Sequence, residues 1–351
     1  MAHLVFQSAF PGDLFLSIPL LRRIKVWDPT TPLVLACRPG LGEFFLKAKL
    51  VDEVIEIDKN SAQGRGTAQR KLKAGQWDII FVPHESPRTA LWIWGLKAKR
   101  AKVGFKKWWN APMFSKRVVK PMQLPDALRQ LSLLTPFDAE LAQEFATPQT
   151  ASLASPLSLA QLDLRQTPIP EWASMTLNEH HGHGARVFLA PGSVWPTKRW
   201  TVEGYEELAR QLQLAGYKVE LVGSRQEQEL CAQIAAHVPQ VINHAGSTSL
   251  AGLVDLFRAP DAAALICNDS GAMHAASVAG LPTVAIFGPT TLALGFRPWQ
   301  QRAVVVQREM KCRPCGKHGA KSCPIGTHEC MRGIRPTEVM NAVQQIIANT
   351  L

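Results

Sequence analysis

Short apolar runs alternate with amphipathic stretches along both halves of this chain. Runs of this length, rich in Val, Ile and Leu, suit strands buried on both faces of a parallel sheet, and the stretches between them suit covering helices. In the first half the pattern predicts strands at Leu4–Ala9, Leu33–Arg38, Val54–Asp58, Asp78–Pro83 and Lys102–Phe105, with a first helix over Asp13–Trp27. In the second half it predicts strands at Arg186–Pro191, Lys218–Gly223, Val241–Asn243, Ala263–Asn268 and Thr283–Phe287. Helices are expected near Val202–Ala215, Gln226–His237, Leu250–Arg258 and Gly271–Ala279, and a last one, with proline in its first turn, over Pro336–Ala348. The weakly periodic stretch from Thr147 to Gly184, rich in Pro, Ser, Gln and His, is the expected linker. The fold class is therefore α/β, two doubly wound Rossmann-like domains with a cleft between them. Their chemistry is expected in strand-to-helix turns at the carboxyl ends of the strands.

Length agrees: 351 residues suit two domains, and 46% apolar with 19% charged residues is globular composition. The longest nearly apolar stretch, Ala275 to Gly288, is interrupted by Ser277, Pro282 and Thr283 and is too short for a membrane span. No basic residue precedes the first apolar run and no small-residue cleavage site follows it, so a secretory signal is not expected and the cytoplasm is the expected address. Seven cysteines, an odd number, fit a reducing compartment.

Charge changes the picture more. The net charge is +11, and nine basic residues with no acid fall between Lys97 and Lys120, interleaved with Phe105, Trp108, Trp109 and Phe114. Such a stretch attracts phosphates on nucleic acid, lipid headgroups or a charged glycolipid; the alternative is a merely solvated basic face.

Five turns carry the candidate chemistry. Asn268-Asp269-Ser270-Gly271-Ala272-Met273-His274 joins a buried strand to a small-residue helix. Asp269 or Ser270 is the expected N-cap, and the free N–H groups suit a phosphate or diphosphate. Pro191-Gly192-Ser193-Val194-Trp195-Pro196-Thr197-Lys198-Arg199-Trp200 offers a hydroxyl and a cation, with Trp200 expected in the core. Gly223 and Ser224 lead to Glu227, either a helix cap or a ribose ligand, and Gly288-Pro289-Thr290 adds to the same rim. At the start of the chain, Gly12 and Asp13 follow the first strand. Asp13 is either an N-cap carboxylate or a general base, its pKa raised by apolar neighbours such as Phe10 and lowered by the helix dipole. Gly40-Leu41-Gly42 lacks the third glycine of a dinucleotide fingerprint, Gly319-Ala320-Lys321-Ser322 is not a phosphate-binding Walker loop, and His180, His181 and His183 fall in the linker.

In this order, each at a strand end, these turns resemble glycosyltransferase family 9, the ADP-heptose:lipopolysaccharide heptosyltransferases. The Cys312-x2-Cys315-x7-Cys323 tail with Gly326-Thr327-His328-Glu329-Cys330-Met331 looks like that of the heptosyltransferase II branch. The resemblance implies a GT-B fold with parallel sheets facing across the cleft. It divides the chain into an acceptor domain (1–165), a linker (166–185), a nucleotide-sugar domain (186–335) and a final helix (336–351) that crosses back to the first domain. It implies inverting, metal-independent transfer of heptose from ADP-heptose to the lipopolysaccharide inner core, with no cofactor required because the ADP-sugar is a substrate. Asp13 would be the base. Lys198 and Ser193 would hold the diphosphate and Glu227 the ribose, with Gly223, Asp269, Ser270, Gly271, His274, Pro289 and Thr290 completing the donor site. Gly12, Lys97, Arg100, Lys106, Lys107 and Trp108 would meet an anionic glycolipid at the cytoplasmic face of the inner membrane, to which the enzyme would attach peripherally. Val194 departs from the pattern, standing where a second hydroxyl is expected. Two other functions stay open: a family relative with another nucleotide-sugar or acceptor, and a nucleic-acid-binding protein using the basic stretch, although no nucleic acid is expected. Cys312, Cys315, Cys323 and Cys330, with His318 and His328 nearby, could be reduced structural thiols, a zinc site or a disulfide formed on oxidation.

Overall fold

The computed structural model describes residues 1–146, 184–300 and 302–348. The expected linker, 166–185 with its three histidines, lies almost wholly outside them. The described residues form two compact units, 1–146 and 184–348.

The first unit is built on six parallel strands: β1 (Ala2–Phe6), β2 (Leu33–Cys37), β3 (Glu53–Glu56), β4 (Trp77–Val82), β5 (Ala98–Phe105) and β6 (Lys116–Val118). They lie in the order β3-β2-β1-β4-β5-β6. Strand β2 is apolar and buried at every position because helices cover both faces of the sheet. The second unit repeats the plan with β7 (Arg186–Ala190), β8 (Lys218–Leu221), β9 (Ile242–Asn243), β10 (Ala262–Asn268), β11 (Thr283–Phe287) and β12 (Ala303–Gln307), in the order β12-β11-β10-β7-β8-β9. In each sheet the winding reverses beside the unit's first strand, between β1 and β4 and between β7 and β10. Those are the crevices that doubly wound sheets use for ligands.

Two local outcomes depart from the sequence pattern. The edge strands β6 and β12 were not expected; Lys116-Arg117-Val118 is short and basic, and its pairing with β5 comes from the sheet rather than from propensity. The helix expected over Asp13–Trp27 is two helices, Pro11–Phe15 and Ile18–Trp27. Pro19 lacks the N–H that a continuous helix would send back to Phe15, so the chain restarts with proline in the new first turn. The helix Pro336–Ala348 forms where expected and packs in the second core. Its Val339, Met340, Val343, Ile346 and Ile347 join Trp200, Tyr205 and Leu212 in the second core, where its apolar stripe finds a matching surface on the Val202–Leu214 helix.

Candidate active site

Asp13 is the third residue of the Pro11–Phe15 helix at the carboxyl end of β1. It is not the N-cap, a place taken by Phe10, whose backbone N–H donates to Asp13 Oδ2 at 3.2 Å. The side chain is half-buried. Burial raises its pKa from the ordinary 3.8 to about 6, helped by the charge of Asp126 and opposed by the Phe10 N–H, Lys120 and Arg38. Desolvation thus wins over the stabilising donors. A carboxylate that ionises near neutrality, without being tied into an ion pair, suits proton abstraction.

Its surroundings come from distant segments. Gln130, on the helix Asp126–Leu131, donates to Asp126 Oδ2 at 2.9 Å, and Ser17 Oγ lies 2.6 Å from Gln130 Oε1. Lys120 Nζ sits 3.1 Å from Asp126 and 2.7 Å from Glu85, and Lys107 Nζ sits 2.6 Å from Glu85. Burial alone would push Glu85 up, but Lys120 and Lys107 outweigh it and hold its pKa below the ordinary value.

The second unit gathers the ends of β7, β8, β10 and β11 into one rim. Buried Lys198 Nζ lies 2.6 Å from Asp269 Oδ2, which also accepts from Thr290 Oγ1 at 2.7 Å. Ser193 Oγ faces the Asp269 carbonyl at 3.4 Å. Ser270, not Asp269, is the N-cap of the Gly271–Ala279 helix, and its side chain makes no cap bond to the first-turn N–H groups. His274 is buried one turn into that helix. The Glu227 alternatives are not exclusive. Its Oε2 accepts from Ser224 N at 2.7 Å and Ser224 Oγ at 2.8 Å, as a cap does. Its Oε1 lies against Gly192, where an added Cβ would come within 1.9 Å of it. Gly192 therefore lets the β7 loop and the β8 carboxylate share one small volume.

Several residues that organise this rim were not singled out in the sequence. Asn268 Nδ2 donates to Pro191 O at 2.8 Å, and its Oδ1 accepts from Trp200 N at 3.0 Å, which pins the β7 loop to the end of β10. A lone Asn closing an apolar strand was the available signal. Arg313 Nη2 donates to Thr290 O at 2.7 Å, and Thr197 joins the cysteine-rich segment through Ala320 and His328. Nothing local marks these. Trp200 packs in the core as expected, 3% exposed. His318 stacks on Trp195 with ring centroids 6.2 Å apart and has Lys198 among its neighbours; burial first, then Lys198, lowers its pKa.

The basic stretch divides. Arg100 lies at the amino end of β5, 2.5 Å from Asp78, so the structure places it at the opposite end of the sheet from Asp13. Lys97 precedes it at the same end. These two, expected to meet the acceptor, therefore lie at the other end of the sheet from Asp13. Lys106, Lys107 and Trp108 follow the carboxyl end of β5, on the same side as Asp13, while Gly12 is buried at its helix start. Among the described residues the four tail cysteines are unbridged. Cys330 is instead buried, and Cys323 Sγ accepts from His328 N at 3.3 Å.

Comparison with known proteins adds the following. A family model described as glycosyltransferase family 9 (heptosyltransferase) matches residues 65–325. A lipooligosaccharide heptosyltransferase 2 of Campylobacter jejuni is 32% identical over 164 residues, 45% of this chain and 50% of that protein. The chain thus spans about half the length of that relative in the aligned region. The lipooligosaccharide heptosyltransferase 2 of Haemophilus ducreyi is 31% identical over 99% of this chain and 100% of its own. The solved structure of Escherichia coli ADP-heptose lps heptosyltransferase II superposes with a TM-score of 0.73 at 23% identity, covering 99% of each chain.

Proposed function

The chain belongs to glycosyltransferase family 9, the heptosyltransferases, and from that premise we propose that it transfers heptose from ADP-heptose to a hydroxyl of the lipopolysaccharide inner core, with inversion and with Asp13 as general base. The observation that carries the reading is the Asp13 carboxyl, held at the end of β1 with a pKa of about 6 and free of any ion pair among the described residues. In this reading an acceptor hydroxyl hands its proton to Asp13 as its oxygen attacks the anomeric carbon, and the bond to ADP breaks on the opposite face. Lys198, oriented by Asp269 and Thr290, and the N–H groups at the start of the Gly271–Ala279 helix would stabilise charge growing on the departing diphosphate. Ser193, Pro289 and His274 would line the same donor site, and Glu227 Oε1 would face the ribose beside Gly192 and Gly223. The step as proposed uses no metal or cofactor.

The acceptor is an anionic glycolipid, and the outer end of the first unit suits a membrane surface. Trp108 is 92% exposed, Val119 73% and Met122 60%, beside exposed Lys106, Lys116 and Arg117. Apolar side chains among cations are what a peripheral protein offers to anionic lipid. No helix among the described residues is long and apolar enough to cross a membrane. We therefore read the enzyme as attached peripherally at the cytoplasmic face of the inner membrane. Nucleic-acid binding is less well supported, since Arg100, Lys107 and Lys120 already have carboxylate partners.

The test is transfer itself. Purified protein with ADP-heptose and heptose-deficient inner core should release ADP, and Asp13→Asn should abolish release while binding ADP as the parent does. Release with a UDP-sugar instead would point to the relative with another donor, and steeply salt-dependent oligonucleotide binding without ADP binding would favour the nucleic-acid reading.

A further inference from the structure

The cysteine-rich segment between β12 and the Glu329–Arg332 helix is tied to the rim of the second unit through its backbone. Thr197 Oγ1 donates to Ala320 O at 2.7 Å and accepts from Ala320 N at 2.9 Å. Cys315 N donates to Pro289 O at 2.8 Å, and Arg313 Nη2 to Thr290 O at 2.7 Å. Among these ties Gly319 takes a φ of +82°, and a Cβ there would meet Thr197 Oγ1 at 3.0 Å, Pro289 Cγ at 3.3 Å and Lys198 Cγ at 3.4 Å. The segment therefore lies against the stem of Lys198 itself, an approach that a glycine permits.

His318 precedes that glycine. Its ring stacks on Trp195, with 6.2 Å between centroids and 10° between planes, and Phe296 lies tilted against it at 6.5 Å. The stack fixes the plane of the ring but buries little, since His318 is exposed and Trp195 half-buried. Among the described residues neither ring nitrogen has a hydrogen-bond partner. His237, His244 and His328 of the same unit each close on an oxygen. A packing histidine buries its ring and pairs its nitrogens, and His318 does neither.

Charge points the same way. Burial, Lys198 and Lys317 hold the His318 pKa below its ordinary value, and Asp269 opposes them. The ring thus feels both members of the Lys198–Asp269 pair. At neutral pH it is uncharged, so it keeps one N–H to donate without repelling Lys198. A phosphate oxygen taken by Lys198 would supply the acceptor that this N–H lacks.

We propose that His318 is a further binding residue of the donor site, its ring N–H donating to a diphosphate oxygen of the nucleotide-sugar beside Lys198. The identity of the ligand rests on the transferase reading above. The cysteine-rich segment thereby gains a task, carrying a ligand-binding side chain to the loops after β7 and β11.

The test compares binding of ADP and of adenosine to the full-length parent and two variants. His318→Phe keeps a ring for Trp195 and removes the N–H, whereas His318→Gln loses the stack and keeps an amide N–H. His318→Phe should weaken ADP binding about tenfold and raise the donor KM as much, with adenosine affinity and acceptor KM within about twofold of the parent. His318→Gln should hold ADP within about threefold. Equal loss of ADP and adenosine binding in His318→Phe would make the residue structural and overturn the proposal. Parental ADP affinity in His318→Phe, or a weaker His318→Gln, would give the role to the stack and overturn it as well. A parent that binds ADP without transferring heptose would sink the transferase reading alone, and the same binding series would still decide His318. If the parent prefers UDP, the series with UDP and uridine decides it, because the diphosphate is common to both. A parent that binds neither diphosphate overturns both readings.

Discussion

The two sheets share one strand order and finish their carboxyl ends in opposite ways. At the first, Asp13 has no ion-pair partner among the described residues, burial lifts its pKa, and Arg38 and Lys59 turn to the Ser8 carbonyl rather than to a carboxylate. At the second, charge is balanced: Lys198 lies against Asp269, Thr290 completes the pair, and Asn268 and Arg313 fix the backbone around it. A base must remain able to take a proton, so its environment has to be left electrostatically incomplete. A cradle for a leaving group must not reorganise as charge develops, so its dipoles and charges are held in place beforehand. The same scaffold serves both because its chemistry lies in the turns, not in the sheet.

This contrast can be broken by experiment. The largest effect should come from Asp13→Asn, which keeps an acceptor for the Phe10 N–H but removes the base. Transfer should fall about 10³-fold or more while calorimetric ADP affinity stays within about threefold, and near-parental turnover would remove Asp13 from the role. Next, Lys198→Ala should lower kcat/KM by about 10²-fold to 10³-fold and also strand Asp269, costing about 3 kcal/mol in denaturant unfolding. The double variant Lys198→Met with Asp269→Asn should recover most of that stability and none of the activity. Recovery of both would make the pair structural.

Two smaller effects follow from the Asp13 pKa. kcat/KM should rise about tenfold per pH unit below about pH 6 and level off above it, and a profile flat from pH 5 to 8 would contradict the raised value. Between 3.8 and about 6 the folded carboxyl keeps a proton that the unfolded chain has already released. Folding stability is therefore lost as pH rises through that window. Asp13→Asn should cancel the loss and stabilise the protein at pH 7 by about 1 to 2 kcal/mol, discounted for partial exposure, or a few degrees in Tm. A lower Tm in that variant would show that the carboxylate contributes to folding rather than strains it.

The sequence by itself determined the alternation of buried strands and covering helices, the turns where chemistry could sit, and the family. Those features are written in local periodicity, in Gly, Pro, Ser and Asp at strand ends, and in their order along the chain; Thr283–Phe287 and Gly271–Ala279 were legible to the residue. Tertiary structure alone decided what depends on residues far apart in the chain. Desolvation and Asp126, 113 positions away, set the Asp13 pKa, and Asp78 claims Arg100 at the far end of the sheet. Arg38 and Lys59 are unremarkable singly and converge on Ser8 only because β3, β2 and β1 end side by side. The Pro336–Ala348 helix settles on the second core because its apolar stripe finds a fitting surface there. Periodicity states that a face will be buried; only packing states against what.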